Sequence, residues 1–264
     1  MSVKNTSLVR GRRASHILSS VSRRLWPNRV GSYATVADAI RDKAGLEIGG
    51  PSDVFGRHSL FPAYAIAGSI DNVNFSRSTI WEGAITEGQT FTYDSRQAPG
   101  RQYILEATNL HAIPDERYDF LLSSHTIEHV ANPLRALREW NRTLKVGGVL
   151  VLVVPHYEGT FDHRRPLTTM AHLLDDERKA TGEDDLTHLP EILQLHDLSL
   201  DPPAGDLAAF TARSQKNFEN RCLHHHVFDE PLVAGMLEWL GTPLLSVERV
   251  PPYHIFAVAR KMTA

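Results

Sequence analysis

Histidine and carboxylate side chains crowd one stretch of this chain. Asp162-His163-Arg164-Arg165, Glu183-Asp184-Asp185 with His188, His196-Asp197 and His224-His225-His226 all fall within residues 156–226. Such residues supply general bases and metal ligands. Their spacing follows no known ligand pattern: there is no H-E-x-x-H, and successive histidines on a strand point to opposite faces, so no metal is expected. Glu183-Asp184-Asp185 also reads as a solvated turn with helix-capping acids, and His224 to His226 as a hydrogen-bonded loop. Arg164 and Arg165, beside Asp162 and His163, are suited to hold a phosphate or carboxylate on a substrate. A second chemical signal is Gly49-Gly50-Pro51-Ser52, directly after the short strand Leu46-Glu47-Ile48. Glycines there let the backbone turn sharply and approach a ligand with no Cβ in the way. The turn is neither a P-loop nor the dinucleotide spacing G-x-G-x-x-G.

The elements that must position these groups alternate. Thr35 to Lys43 reads as a helix stopped by Gly45, and Asn72–Phe75, Tyr103–Leu105 and Tyr118–Ser123 read as strands. Asn132 is an N-cap with Pro133 at the first helical position; Leu134, Leu137, Trp140 and Leu144 form the inner face. Lys145 then suits the helix C-terminus and Gly147-Gly148 end the helix. Val149 to Val154 is apolar without alternation, as in a strand covered on both faces. Asp229-Glu230-Pro231 starts a last helix that ends at Gly241, followed by strands over Leu244–Val250 and His254–Ala259. Strands alternating with helices predict an α/β fold: a Rossmann-like, mostly parallel sheet with helices on both faces and ligands at the carboxyl ends of its strands.

Three ordered segments carry a family resemblance: Leu46-Glu47-Ile48-Gly49-Gly50, then Tyr118 to Ser124 with His125-Thr126-Ile127-Glu128-His129-Val130, then Leu144 to Leu150. The chain resembles the class I S-adenosylmethionine-dependent methyltransferases over about residues 35–155, and over 227–264 by pattern. The resemblance implies S-adenosylmethionine as cofactor. Gly49 and Gly50 would pass under its methionine part, with Glu47 near the amino group. Asn74 would stand where the family carries the ribose-binding acid, with Asp71 as a nearby acid. Glu106 and Ala107 would meet the adenine, and Ser124 would lie beside the sulfonium, with His129 one helical turn on.

After the fifth strand, residues 156–226 form an insert of helices and loops that would hang over the cofactor as a substrate cap. The resemblance thus implies methyl transfer, with O-methylation of a small molecule such as a sugar as the expected reaction. A hydroxyl acceptor needs its proton removed, and His125, His156 and His163 are the expected bases. Arg164, Arg165, His224, His225 and His226 are the expected acceptor contacts. Two other classes fit the same residues: a catalytically degenerate methyltransferase fold that serves as a binding or regulatory protein, and a metal-dependent hydrolase using the insert.

Composition narrows these classes. The chain has 264 residues, 42% hydrophobic, with Lys+Arg 28 against Asp+Glu 31, so it holds enough apolar material for a large core and is not a generally basic nucleic-acid binder. The acidic insert argues against a nucleic-acid acceptor too. A single cysteine, Cys222, excludes an internal disulfide, and no apolar run reaches membrane-spanning length. A cytoplasmic location is expected. Residues 1–30 carry seven Lys and Arg (Lys4, Arg10, Arg12, Arg13, Arg23, Arg24, Arg29) and no acid. With Ile17, Leu18, Val21 and Leu25 on one helical face, they read as a basic arm or helix, or as a transit-like segment, ahead of a methyltransferase-like domain over 31–264.

Overall fold

The computed structural model describes residues 30–263, so the basic arm, its helix and its transit-like reading lie outside the described residues. Eight strands form one sheet in the order β5-β6-β2-β1-β7-β8-β10-β9. They are β1 (Ala44–Ile48), β2 (Ser69–Asn74), β5 (Gly88–Phe91), β6 (Gly100–Ile104), β7 (Tyr118–Ser124), β8 (Leu144–Pro155), β9 (Leu244–Val250) and β10 (His254–Arg260); a small hairpin, β3 (Ser78–Thr79) and β4 (Gly83–Ala84), stands apart. The central strands β6, β2, β1, β7 and β8 run parallel, while β5, β10 and β9 pair antiparallel at the two edges. The Rossmann-like sheet expected from the alternation is therefore present.

One face of the sheet is covered by α2 (Pro133–Thr143) and α7 (Glu230–Trp239), which bury Leu134, Leu137 and Trp140 and Val233, Met236 and Leu237 against Ile48, Leu121 and Leu152. Both helices start as their sequences require. The Asn132 side chain accepts from the Arg135 amide at 3.0 Å, and Asp229 accepts from the Leu232 amide at 2.9 Å, each with proline in the first turn. The other face is covered by α1 (Tyr33–Ile40) and by the segment between β1 and β2. That segment has two short 3₁₀ turns instead of an α-helix, and fills the face with Phe55, Phe61 and Tyr64.

Two local expectations are corrected. Gly45 does not stop the first helix, which closes at Arg41 on the Ala37 carbonyl; Gly45 lies in β1, where a Cβ would stand 2.1 Å from the Phe120 ring. Lys145 does not serve a helix end, since α2 stops at Thr143 and β8 begins at once. Lys145 instead pairs with Asp119 of β7 at 2.8 Å, and Gly147 supplies a positive φ of 83° within the strand.

The insert folds as α3 (Met170–Lys179), α4 (Leu189–Leu195), α5 (Leu207–Ser214) and the single turn α6 (Asn217–Asn220); α4 and α5 share a small core of Ile192, Ala204, Phe210 and Leu223, while α3 buries Leu173 in the main core. Among the described residues no helix is long and apolar enough to cross a membrane.

Candidate active site

The carboxyl ends of β1, β2, β6 and β7 open into a cavity of about 950 Å³, at the point where the strand order reverses around β1. Its floor is the glycine turn. Gly49 sits at φ 84°, and a Cβ there would lie 2.3 Å from Thr126 Oγ1, whose hydroxyl bonds the Ile48 carbonyl. Gly50 is required for a different reason, because a Cβ there would fall 2.2 Å from the Glu47 carboxyl carbon. The turn is held from β2: Asn72 exchanges hydrogen bonds with the Gly50 amide and carbonyl at 3.1 Å each, and Asn74 Nδ2 donates to the same carbonyl at 3.2 Å. Gln102 of β6 accepts from Asn72 and so fixes which way its amide faces.

Glu47 is buried beneath this turn and does not line the cavity. It accepts from Tyr64 OH at 2.7 Å and from the Ser52 amide at 3.1 Å, and burial pushes its carboxyl up to about 7 despite those bonds. Its place is under the loop, not against a ligand's amino group. Asn74 does line the cavity and keeps its Oδ1 for a ligand. Asp71 is spent further down β2, on Tyr118 OH and the Arg101 amide.

At the end of β6, Glu106 and Ala107 reach the wall as expected. Ala107 is fixed from α2, its carbonyl accepting from Trp140 Nε1 at 2.9 Å. Glu106 is gripped by Arg221 from the insert at 2.9 and 3.2 Å. The same guanidinium reaches Glu183 at 3.0 Å and lies over the rings of Phe75 and Phe218. Burial raises Glu183 to about 7 in spite of Arg221. One arginine therefore ties the cap to the strand edge.

Opposite lies a wall of histidines. Ser124 ends β7 at the cavity, and His125 follows in the left-handed region at φ 50°, a conformation rare for a side chain of its size. Its Nε2 meets His254 Nδ1 at 2.9 Å and its Nδ1 stands 3.4 Å from Glu128 Oε1. Glu128 is fully buried and neither carboxylate oxygen has a closer partner. Burial, then the neighbouring His125, holds His254 down to about 4, so this ring is neutral near pH 7. His129 contacts the Trp81 ring on the β3–β4 hairpin and is pushed down to about 4 by burial and by His224. His224 behaves oppositely: burial disfavours its charge, but Asp162 at 2.5 Å raises it above the ordinary histidine value.

Several expected residues lie elsewhere. His156 is buried against Glu230 at 3.1 Å, and His163 with Arg164 is bound to Asp197 at 3.0 and 2.6 Å; none of them lines the cavity. Arg165 is no free clamp. It is buried and saturated by Asp162, Glu191 and the His224 and His225 carbonyls, which makes it an internal strut of the insert. His225 and His226 are buried behind the wall, and only His224 of that trio faces the cavity. Glu128, His254, Arg221 and Trp81 were passed over in the sequence. Glu128 stood inside a recognised segment, whereas His254 meets His125 and Arg221 meets Glu106 across more than 110 residues.

A family model described as a methyltransferase domain matches residues 81–152. A methyltransferase from Mesorhizobium loti, described as dependent on S-adenosylmethionine, has a similar fold at TM-score 0.50 and 13% identity, covering 87% of this chain and 96% of its own. The 1,6-didemethyltoxoflavin-N1-methyltransferase of Burkholderia thailandensis matches at TM-score 0.49 and 14% identity, over 100% of this chain and 92% of its own. A comparison with curated proteins finds no match. The chain thus carries a match to a methyltransferase domain over residues 81–152, and its Rossmann-like sheet, with the cavity at the reversal point, has the fold of the S-adenosylmethionine-dependent methyltransferases it resembles.

Proposed function

We propose that the chain methylates a hydroxyl of a small molecule, such as a sugar or related metabolite. The cofactor site fits the residues present. The Gly49 turn is a cradle that any Cβ would fill, and 950 Å³ lies within the range of cofactor and substrate pockets, about 300–1,000 Å³. Gly49 and Gly50 would carry the methionine part, Asn74 one ribose hydroxyl, Glu106 and Ala107 the adenine, with Ser124 and His125 nearest the sulfonium. Asn74 offers one free acceptor where a carboxylate offers more, which points to modest ribose binding. When bound, S-adenosylmethionine supplies an electrophilic methyl group.

The observation that carries the acceptor reading is the His125–His254 pair backed by Glu128. With Glu128 accepting from His125 Nδ1–H, His125 Nε2 accepts from His254 Nδ1–H, and His254 Nε2 is left with a free lone pair. The pair is the base for the hydroxyl proton, and the buried carboxylate fixes its tautomer and favours the charge it gains. The cap, held down by Arg221, encloses the acceptor and restrains its approach. In a screen of hydroxylated small molecules, His125→Ala and His254→Ala should each lower kcat by about 10²–10⁴ while the affinity for S-adenosylhomocysteine stays within a few-fold. Undiminished turnover in both variants would remove the pair from the chemistry.

A further inference from the structure

Away from the cavity, four side chains converge where the insert meets the domain. His172 and Asp176 lie one turn apart on α3, His188 precedes α4, and His226 belongs to the segment entering α7. One ring nitrogen from each of the three histidines lies within 4.8 Å of the others. His172 Nε2 is 3.0 Å from His188 Nε2 and 3.2 Å from Asp176 Oδ2, and His226 Nε2 is 3.8 Å from the same carboxylate oxygen. None of the four lines the cavity.

We propose that a transition-metal ion, zinc by the chemistry of its donors, binds among His172, His188 and His226, with Asp176 beside them, and fastens α3 and the start of α4 to His226, the last residue of the insert, which touches the Ala131 carbonyl of the domain. Zinc–nitrogen and zinc–oxygen bonds of roughly 2.0–2.2 Å in a tetrahedron separate the ligand atoms by about 3.3–3.6 Å. His172 Nε2 and His188 Nε2, 3.0 Å apart, are close to that spacing, and His226 offers a ring nitrogen within 4.8 Å of the other two ligand atoms. Two buried atoms at this point have no hydrogen-bond partner, Asp176 Oδ2 and His226 Nδ1. Asp176 and His226 are 8% and 1% exposed, so water does not supply the missing partners freely. The other carboxylate oxygen, Oδ1, accepts from Thr181 Oγ1 at 3.0 Å, the kind of outer contact that orients a carboxylate beside a metal ligand. Three imidazoles suit zinc and disfavour magnesium or calcium, which take oxygen ligands. The ion would sit between elements of the insert and away from the cavity, which gives it a fastening role. His226 Nε2 stands 3.3 Å from the Ala131 carbonyl, so Nε2–H donates there and ties the ring to the loop that opens α2, leaving the unpartnered Nδ1 for the ion.

The spacing 172–176–188–226 matches no short motif, so only the fold discloses the cluster. A second group, Glu128, His129 and His224, lies in the cavity wall and must be told apart from it. The full-length protein, purified without chelator, is assayed for metal content, then stripped and titrated with zinc chloride alone. About one zinc per chain is expected, with a rise in Tm of roughly 5–10 °C at a hundredfold excess over Kd, and none with magnesium. His172→Gln and His188→Ala, both at partly exposed positions, should each weaken zinc binding at least about tenfold, as loss of a ligand does, whereas His129→Ala should not. Limited proteolysis within residues 180–220 should be faster in the stripped protein. Absence of both bound zinc and a zinc-dependent Tm shift overturns the proposal. Unchanged affinity in both ligand variants also overturns it, by placing the ion elsewhere. Equal proteolysis with and without zinc overturns the fastening role.

Discussion

Gly49 and Thr126 should be coupled energetically, because the left-handed turn leaves no room for a Cβ beside the threonine hydroxyl. In Gly49→Ala the backbone would hold alanine at φ 84°, at about 1–2 kcal/mol. The new Cβ would stand 2.3 Å from Thr126 Oγ1 and 3.1 Å from its Cγ2. Thr126 can turn away only by giving up its bond to the Ile48 carbonyl, worth about 1 kcal/mol, and the crowding adds about 1 kcal/mol or more. The single variant should therefore lose about 3–5 kcal/mol, and Thr126→Ala alone about 1 kcal/mol. With both changes only the Thr126 Cβ, at 3.3 Å, presses on the new methyl group. The double variant should then lose about 2–3 kcal/mol, less than the sum by about 2 kcal/mol. Urea unfolding of the four proteins at constant m-value measures this coupling. Additivity to within about 0.5 kcal/mol would refute the reasoning, and with it the claim that the turn is shaped by this contact.

Two further outcomes follow from the charges around the cap. Arg221→Leu leaves Glu183 buried without its cation; because that carboxyl already lies at about 7, it should take up a proton and limit the loss of stability to about 2–4 kcal/mol. Calorimetry should show S-adenosylhomocysteine bound no more than about twofold more weakly, since Glu106 is released from its ion pair; a larger loss, of about tenfold (1.4 kcal/mol), would make Arg221 a ligand contact. Acid should destabilise the fold through His225, which is 2% exposed and held down to about 3 by burial. Asn217 Oδ1 accepts from the Leu223 amide, so its Nδ2 must face His225 Nε2, which therefore stays unprotonated. The unfolded chain binds this proton below about pH 6.5, so the contribution is complete above that value and shrinks as pH falls towards 3. About 2 kcal/mol is lost by pH 5, and His225→Gln should flatten the pH dependence of the urea midpoint by that amount.

Sequence patterns disclosed what local chemistry dictates. The Asn132-Pro133 cap, the apolar β8 run, the Gly49 turn and the last helix follow from φ preferences, capping and burial within a few residues, and all stand where they were expected. Gly45 and Lys145 misled because helix-stop and dipole preferences are weak beside a tertiary contact, here Phe120 and Asp119. At the cavity, Gly49, Asn74, Glu106, Ala107, Ser124 and His125 could be placed because each lies at a strand end or within three residues of one. The insert's residues could not be sorted. Whether Arg165 is a clamp or a strut depends on Glu191 and on carbonyls about 60 residues away, and no periodicity carries that information.

The central claim is that the cavity at the ends of β1, β2, β6 and β7 holds S-adenosylmethionine on the Gly49 turn. Titration of the full-length protein with S-adenosylhomocysteine by calorimetry tests it most directly, with Gly49→Ala/Thr126→Ala as the comparison, since that pair is expected to stay folded while its cradle is filled. The account expects one molecule bound per chain, and at least about tenfold weaker binding in the double variant (1.4 kcal/mol). No heat of binding at millimolar ligand, or equal affinity in the two proteins, would contradict it.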